Sequence, residues 1–254
     1  MTNSLDVGSV LSQVADLYRR YAGVLLPVAA VLFLVVGLVE YLALEDRNFV
    51  LLMIVTLVSL VASYFYTGMV VNLVDDVRDG RLDQSVGQLF SRVTPVLLTL
   101  FLASIIAGIG IAIGLVLLII PGLILLTLWA VVVPAILIER KGVFEAFGRS
   151  MELVKGNAFP VFAVIVVLFI VSAVVSTLLS AIGASGGDEL RAILSYIGRV
   201  LTAPLTALAA AVLFFALRSA RGEETAAPPA PTTPTASTGP TSSQDNIAGL
   251  GGSS

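Results

Sequence analysis

The chain has 254 residues, 57% of them hydrophobic and only 12% charged, with a formal net charge of −3 and neither cysteine nor histidine. Soluble globular domains carry about 25% charged residues, so this composition excludes one and commits the chain to apolar spans and short connectors. The missing residue types exclude disulfides, thiol nucleophiles, Cys/His metal centres and a histidine proton shuttle.

Residues 1–21 open the chain as an amphipathic segment. Val7, Val10, Leu11, Val14, Leu17, Tyr18 and Tyr21 follow the i, i+3, i+4, i+7 rhythm of one helical face, and Asp6, Ser9, Ser12, Gln13, Asp16, Arg19 and Arg20 supply the other. Such a helix, placed directly before a span, is expected in the headgroup layer or packed on protein. Six apolar runs follow, at 22–44, 49–74, 96–120, 122–138, 158–182 and 200–217. A hydrocarbon core of about 30 Å needs roughly 20 apolar residues per helix, so each is a predicted span. The first is too long for a cleavable leader and reads as an uncleaved anchor.

Glu45-Asp46-Arg47-Asn48 is a short turn between the first two spans, and Gly80 marks a break after the second. A second amphipathic stripe, Leu82, Val86, Leu89, Phe90 and Val93, leads to Pro95 and the third span. Val96 to Ile138 carries no charge; as one helix it would measure about 65 Å, twice the hydrocarbon thickness. It must fold back, and Pro121-Gly122 is the expected turn. Pro134 is expected to kink the return arm, as Pro204 does the last span. Beyond Glu139-Arg140-Lys141, the stripe Val143, Phe144, Phe147, Met151 and Val154 reads as a third amphipathic helix stopped at Gly156-Asn157. Pro160 sits in the first turn of the fifth span, and Glu189 to Ile197 reads as a short interfacial helix before the sixth. Residues 218–254, rich in Pro, Thr, Ser, Ala and Gly, are expected to form a disordered tail.

The fold class is therefore all-α: a polytopic protein of six transmembrane helices, arranged as three tandem units of interfacial helix plus hairpin at about 1–74, 75–138 and 139–217. Basic residues set its threading. Arg19, Arg20, Arg78, Arg81, Arg92, Arg140, Lys141, Arg149, Lys155, Arg218 and Arg221 fall on one side, while Arg47 and Arg191 fall on the other and Arg199 borders the sixth span. That asymmetry predicts a multi-pass protein of the cell membrane with both termini in the cytoplasm. Twelve arginines against two lysines suggest a GC-rich, bacterial genome.

Ionisable residues in the apolar runs are few. Glu40, Glu139 and Arg199 read as boundary residues that snorkel to an interface. Two hydroxyl stripes, Thr56/Ser59/Ser63/Thr67 and Ser172/Ser176/Ser180, and a small-residue face, Ala103/Ala107/Gly110/Gly114, read first as packing surfaces and second as the lining of a polar cavity. No catalytic, cofactor-binding or metal-binding residue is assigned, and neither cofactor nor nucleic-acid partner is expected.

The stretch Pro121-Gly122, Trp129, Pro134 to Ser150 and Val154-Lys155-Gly156, with the opening Leu17-Tyr18-Arg19-Arg20, resembles the polytopic membrane domain associated with glycerophosphodiester phosphodiesterases. That domain also occurs as stand-alone proteins of unknown function. The resemblance implies membrane architecture and no catalytic residue, since the enzyme of those fusions is a soluble barrel that uses histidines and acidic metal ligands. The expectation is thus a membrane protein without catalytic activity that organises or assists partners through residues 143–155. The alternative is a transporter of small molecules or lipids with a path lined by the hydroxyl stripes.

Overall fold

The computed structural model describes residues 5–46, 49–79 and 85–223; the expected turn at Arg47-Asn48, the break at Gly80, Arg81, Leu82 and the tail from residue 224 lie outside these. Among the described residues there are nine α-helices and no strand. They are α1 (Val7–Asp46), α2 (Phe49–Asp76), α3 (Val86–Val93), α4 (Leu97–Leu117), α5 (Ile119–Leu128), α6 (Val132–Ile138), α7 (Val143–Val154), α8 (Ala158–Gly183) and α9 (Gly187–Ala220). Six stretches are long and apolar enough to cross a membrane: Val7–Val39, Met53–Asp76, Val86–Leu117, Ile119–Ile138, Ala158–Gly183 and Glu189–Ala220.

Local chemistry places several boundaries where the sequence puts them. α3 begins with a capping box, in which the Ser85 amide donates to Gln88 Oε1 (2.8 Å) and Ser85 Oγ accepts from the Gln88 amide (3.4 Å). Pro160 occupies the first turn of α8. Gly156, at φ +95°, ends α7 in a backbone conformation that a side chain would strain.

Four expectations need correction. α1 runs unbroken from Val7 to Asp46, so the amphipathic segment expected as a helix of its own over residues 1–21 is continuous with the first span. α9 is likewise continuous from Gly187, absorbing the short helix expected over residues 189–197. The hairpin in the uncharged stretch turns at Leu118, whose extended backbone (φ −159°, ψ 133°) separates α4 from α5. Pro121 instead enters the first turn of α5, where its missing N–H costs nothing, and Gly122 lets the arms close. A Cβ on Gly114 would lie 2.9 Å from the Gly122 Cα, and one on Gly122 would lie 2.5 Å from Leu115 Cγ. Finally, the return arm is not kinked but broken into α5 and α6 by a turn at residues 129–131, with Pro134 in the first turn of α6. Three regular tandem units are not confirmed: in the first the amphipathic segment is one helix with its span, and the second has a broken arm.

The buried core lies toward one end of the bundle. Residues 69–74 of α2, residues 131–137, and Ala207, Leu208, Ala211, Val212, Leu213 and Phe214 of α9 pack there with Leu89, Val93, Leu153 and Val154. Toward the other end the outward faces are exposed and apolar, as at Val31, Leu34 and Leu38 of α1 and Val50, Met53 and Ile54 of α2. α8 buries only Val161, Val164, Leu168 and Gly183, the pattern of a helix facing lipid on most of its surface. The small-residue face on α4 acts as a packing surface. Ala103 and Ala107 are buried, and a Cβ on Gly110 would lie 2.7 Å from the Trp129 ring.

Candidate functional site

Thr56, Ser59, Ser63 and Thr67 recur every three or four residues, so α2 presents them on one face. That face opens into a groove of about 1210 Å³, larger than the roughly 300–1,000 Å³ of ordinary small-molecule pockets. α2 and α9 form its floor, α4 flanks it through Ile105, Gly108, Ile109 and Ala112, and α8 contributes Ser172. Phe33 and Tyr66, their ring centroids 5.8 Å apart, close it at depth. Tyr66 is fixed there because its hydroxyl donates to the Leu25 carbonyl at 3.0 Å.

The structure therefore brings the α2 stripe together with one member of the α8 stripe; Ser176 and Ser180 do not line the groove. It adds Arg199, read from the sequence only as a boundary residue, and Thr202 and Thr206 of α9, which belong to neither hydroxyl stripe. Arg199, read from the sequence as bordering the sixth span, lies inside a continuous helix, about 18 Å along α9 from Gly187. A charged side chain within a span is a functional candidate by default, since its desolvation is costly. Glu40, the other expected boundary residue near that end, has its side chain outside the described residues.

The hydroxyls fall into two groups. Ser59, Ser63 and Thr67 donate to the carbonyls of Val55, Ser59 and Ser63 at 2.8–2.9 Å; Thr202 and Thr206 donate to those of Gly198 and Ala203 at 2.8 and 3.0 Å. Their donors are spent on their own helices, as the packing reading supposed, yet their oxygens retain lone pairs toward the groove. Ser172 is different. Its Oγ is buried and has no hydrogen-bond partner among the described residues.

At the charged end, α7 is fastened to the broken return arm. Ser150 is fully buried; its hydroxyl donates to the Leu128 carbonyl (2.7 Å) and accepts from the Val131 amide (3.3 Å). It thus satisfies two backbone groups freed by the break between α5 and α6. Trp129 and Phe147 meet edge to face at 4.8 Å. Arg149 grips Glu139 with Nε (2.8 Å) and Nη2 (2.9 Å), reaches Glu152 at 3.3 Å, and pairs with Glu223. Arg218 lies 3.7 Å from Glu139 and 4.0 Å from Glu223. Hydrogen bonds donated to Glu139 and Glu223 hold the Arg149 proton more tightly than in free arginine, and the bond from Arg149 lowers the Glu223 pKa from its ordinary value.

This geometry rotates the face expected on α7. Ala146, Phe147, Ser150, Leu153 and Val154 face inward; Phe144 and Met151, expected in the apolar stripe, are 80% and 40% exposed. Arg149 is partly buried against carboxylates rather than presented outward. The stripe was misjudged because Ser150 counts as polar, although its hydroxyl is consumed by backbone.

The class defined by fold and groove is a polytopic all-α protein whose six helices are long and apolar enough to cross a membrane. Residues 86–221, from the first residue of α3 to just past α9, match the family described as a domain of unknown function (DUF7847). The match spans more than half of the chain, and the chain belongs to that family. Nothing in it links the family to glycerophosphodiester phosphodiesterases. No curated protein and no solved structure matches the chain.

Proposed function

We infer that this is a non-catalytic protein of the cell membrane, with both termini cytoplasmic, that takes an acyl-chain amphiphile from the bilayer into the groove between α2, α4, α8 and α9. The orientation rests on the eleven basic residues that fall to one side against two on the other. One observation carries the ligand reading: hydroxyls from three helices and a cation within a span line the same groove. Its rim is continuous with the lipid-facing surface, since Met53, Ile54 and Ile109 are all exposed there. Lateral entry of a chain therefore needs no passage through water. This is the lipid-handling alternative from the sequence, and the grouping of Arg199 with the hydroxyls moves it ahead of partner organisation.

The partner reading retains one supporting feature, the outward Phe144 and Met151 beside Glu145, Glu152 and Lys155. Kinship with the membrane domain of glycerophosphodiester phosphodiesterases stays a proposal resting on the pattern over residues 139–156.

Protein reconstituted in vesicles containing a diazirine-bearing phospholipid is irradiated, and adducts are mapped by peptide. We expect them concentrated on residues 53–67 and 199–206 and lost in Ser63→Trp, which fills the groove. Equal labelling of the outer face of α8, unchanged by Ser63→Trp, refutes the reading.

A further inference from the structure

We propose that the groove selects a lipid with an uncharged hydroxyl head, which accepts a hydrogen bond from Ser172 and donates one to the Ser and Thr oxygens of α2 and α9. The inference rests on the groove reading above and adds the chemistry of the head. Arg199 does not enter it, because that side chain already has a partner within the protein. The first argument is the state of the other polar groups. Ser63 and Thr67 donate to carbonyls of α2, Thr202 and Thr206 to carbonyls of α9, and Tyr66 to the Leu25 carbonyl. A hydroxyl has one proton to give and two lone pairs. With the proton spent, each of these five can only accept from an occupant. An ionised carboxylate or a phosphodiester brings acceptors alone and finds no donor among them.

The second argument is Ser172, which reverses that polarity. Its Oγ is buried and has no hydrogen-bond partner among the described residues, an uncommon state for a buried hydroxyl. Serine in a helix ordinarily bonds a carbonyl one turn back, as Ser63 does to Ser59. Ser172 does not, although α8 is helical on both sides of it. It lines the same groove, so its proton is held for an occupant. An ammonium head, which carries donors alone, leaves that proton unserved. Only a group that both gives and takes a hydrogen bond suits the whole lining, and an uncharged hydroxyl is the simplest such group.

The third argument is depth. Ser63 lies about 15 Å along the Met53–Asp76 span, near the middle of a hydrocarbon core of about 30 Å. The groove opens sideways there, past Met53, Ile54 and Ile109. Transfer of an isolated ion into such a medium is far costlier than transfer of a hydroxyl, so a charged head is held at the surface while an uncharged one reaches the groove. Leu57, Leu60 and Phe33 give the attached chain an apolar wall. A phospholipid can lend its acyl chain to that wall with its head left at the surface, but it leaves the hydroxyls unserved.

The experiment titrates the full chain in maltoside micelles with dodecanol, dodecyl methyl ether, dodecanoate and dodecylammonium at equal mole fraction, following thermal stability and fitting apparent Kd. These probes share one chain and differ in whether the head gives a hydrogen bond, takes one or does both. We expect dodecanol to bind at least about fivefold more tightly than each of the others, the effect of about one hydrogen bond. Ser172→Ala should weaken dodecanol about fivefold and leave dodecylammonium, which cannot accept, unchanged. Dioctanoylglycerol, run beside dodecanol, separates two sources of the same head: tighter binding of the diester selects an acylglycerol, tighter binding of dodecanol a simple long-chain alcohol. If dodecanoate or dodecylammonium binds as tightly as dodecanol, and Ser63→Trp abolishes them all, the head-group assignment is overturned while the groove reading stands. If none of the probes binds, or Ser63→Trp leaves them unaffected, the groove reading falls as well. The ranking on the native chain needs no variant, so the head-group assignment is decided even where a variant does not fold.

Discussion

Replacing Ser150 with alanine isolates the most economical contact in the protein. The change removes one oxygen from a fully buried side chain, so almost no packing volume is lost. What it leaves behind is the Leu128 carbonyl and the Val131 amide, each deprived of the hydroxyl that served it. A buried polar group left unsatisfied costs about 1–3 kcal/mol, and two such groups with partial relaxation of the turn give about 3 kcal/mol. For a folded region of this size each kcal/mol moves the midpoint by roughly 2–4 °C, so a fall of about 6–12 °C is expected. The assay is thermal unfolding in detergent followed by circular dichroism. Ser91→Ala is the control, since that exposed hydroxyl bonds only the Gln88 carbonyl of its own helix and should shift the midpoint by about 2 °C or less. Equal shifts for the two variants would falsify the claim that Ser150 completes the broken arm.

The remaining expectations concern the charge cluster and the hairpin. Arg149→Ala leaves Glu139 and Glu223 without their closest cation, and a double-mutant cycle with Glu139→Gln should show a coupling of about 1–3 kcal/mol; a coupling near zero by denaturant titration would mean the pair is ornamental. Glu223 has a lowered folded pKa, so it favours the folded state above the ordinary glutamate range of about 4.3 and loses that contribution as pH falls through the folded value. Melting midpoints measured from pH 6 to pH 3 should therefore drop less steeply for Glu223→Gln than for the native chain; parallel curves contradict the assignment. Gly122→Val places carbon atoms where Leu115 sits and should reduce yield or lower the midpoint by more than Gly148→Ala, whose added Cβ meets nothing within 4 Å.

Hydropathy made the helices legible, because a continuous apolar run longer than the hydrocarbon thickness admits few arrangements. The Gly156 stop, the proline in the first turn of α8 and the small-residue face of α4 were legible for similarly local reasons. Leu118 was not, since nothing in its side chain signals a turn; the signal was displaced to Gly114 and Gly122, which permit the arms to touch. Glu189 and Arg191 lower the local hydropathy and made residues 189–197 read as a separate short helix, while α9 runs through them without a break. The groove was half legible. Period alone put Thr56 to Thr67 on one face, but only tertiary packing could bring Thr202, Thr206 and Ser172 opposite. For Arg149 the sequence offered a charge on an amphipathic helix, and nothing local distinguishes a residue facing a partner from one facing Glu139 and Glu223.

Ser150 also bears on how the chain is built. It lies 22 residues beyond the Leu128 carbonyl that it serves. During synthesis the return arm emerges first, with an open turn in its backbone and no side chain of its own to close it. Lipid offers such groups nothing, so that arm can settle only once the following helix has been made and has swung back against it. The two segments must mature as a pair, and any delay between them is borne by the translocation machinery or by retained water.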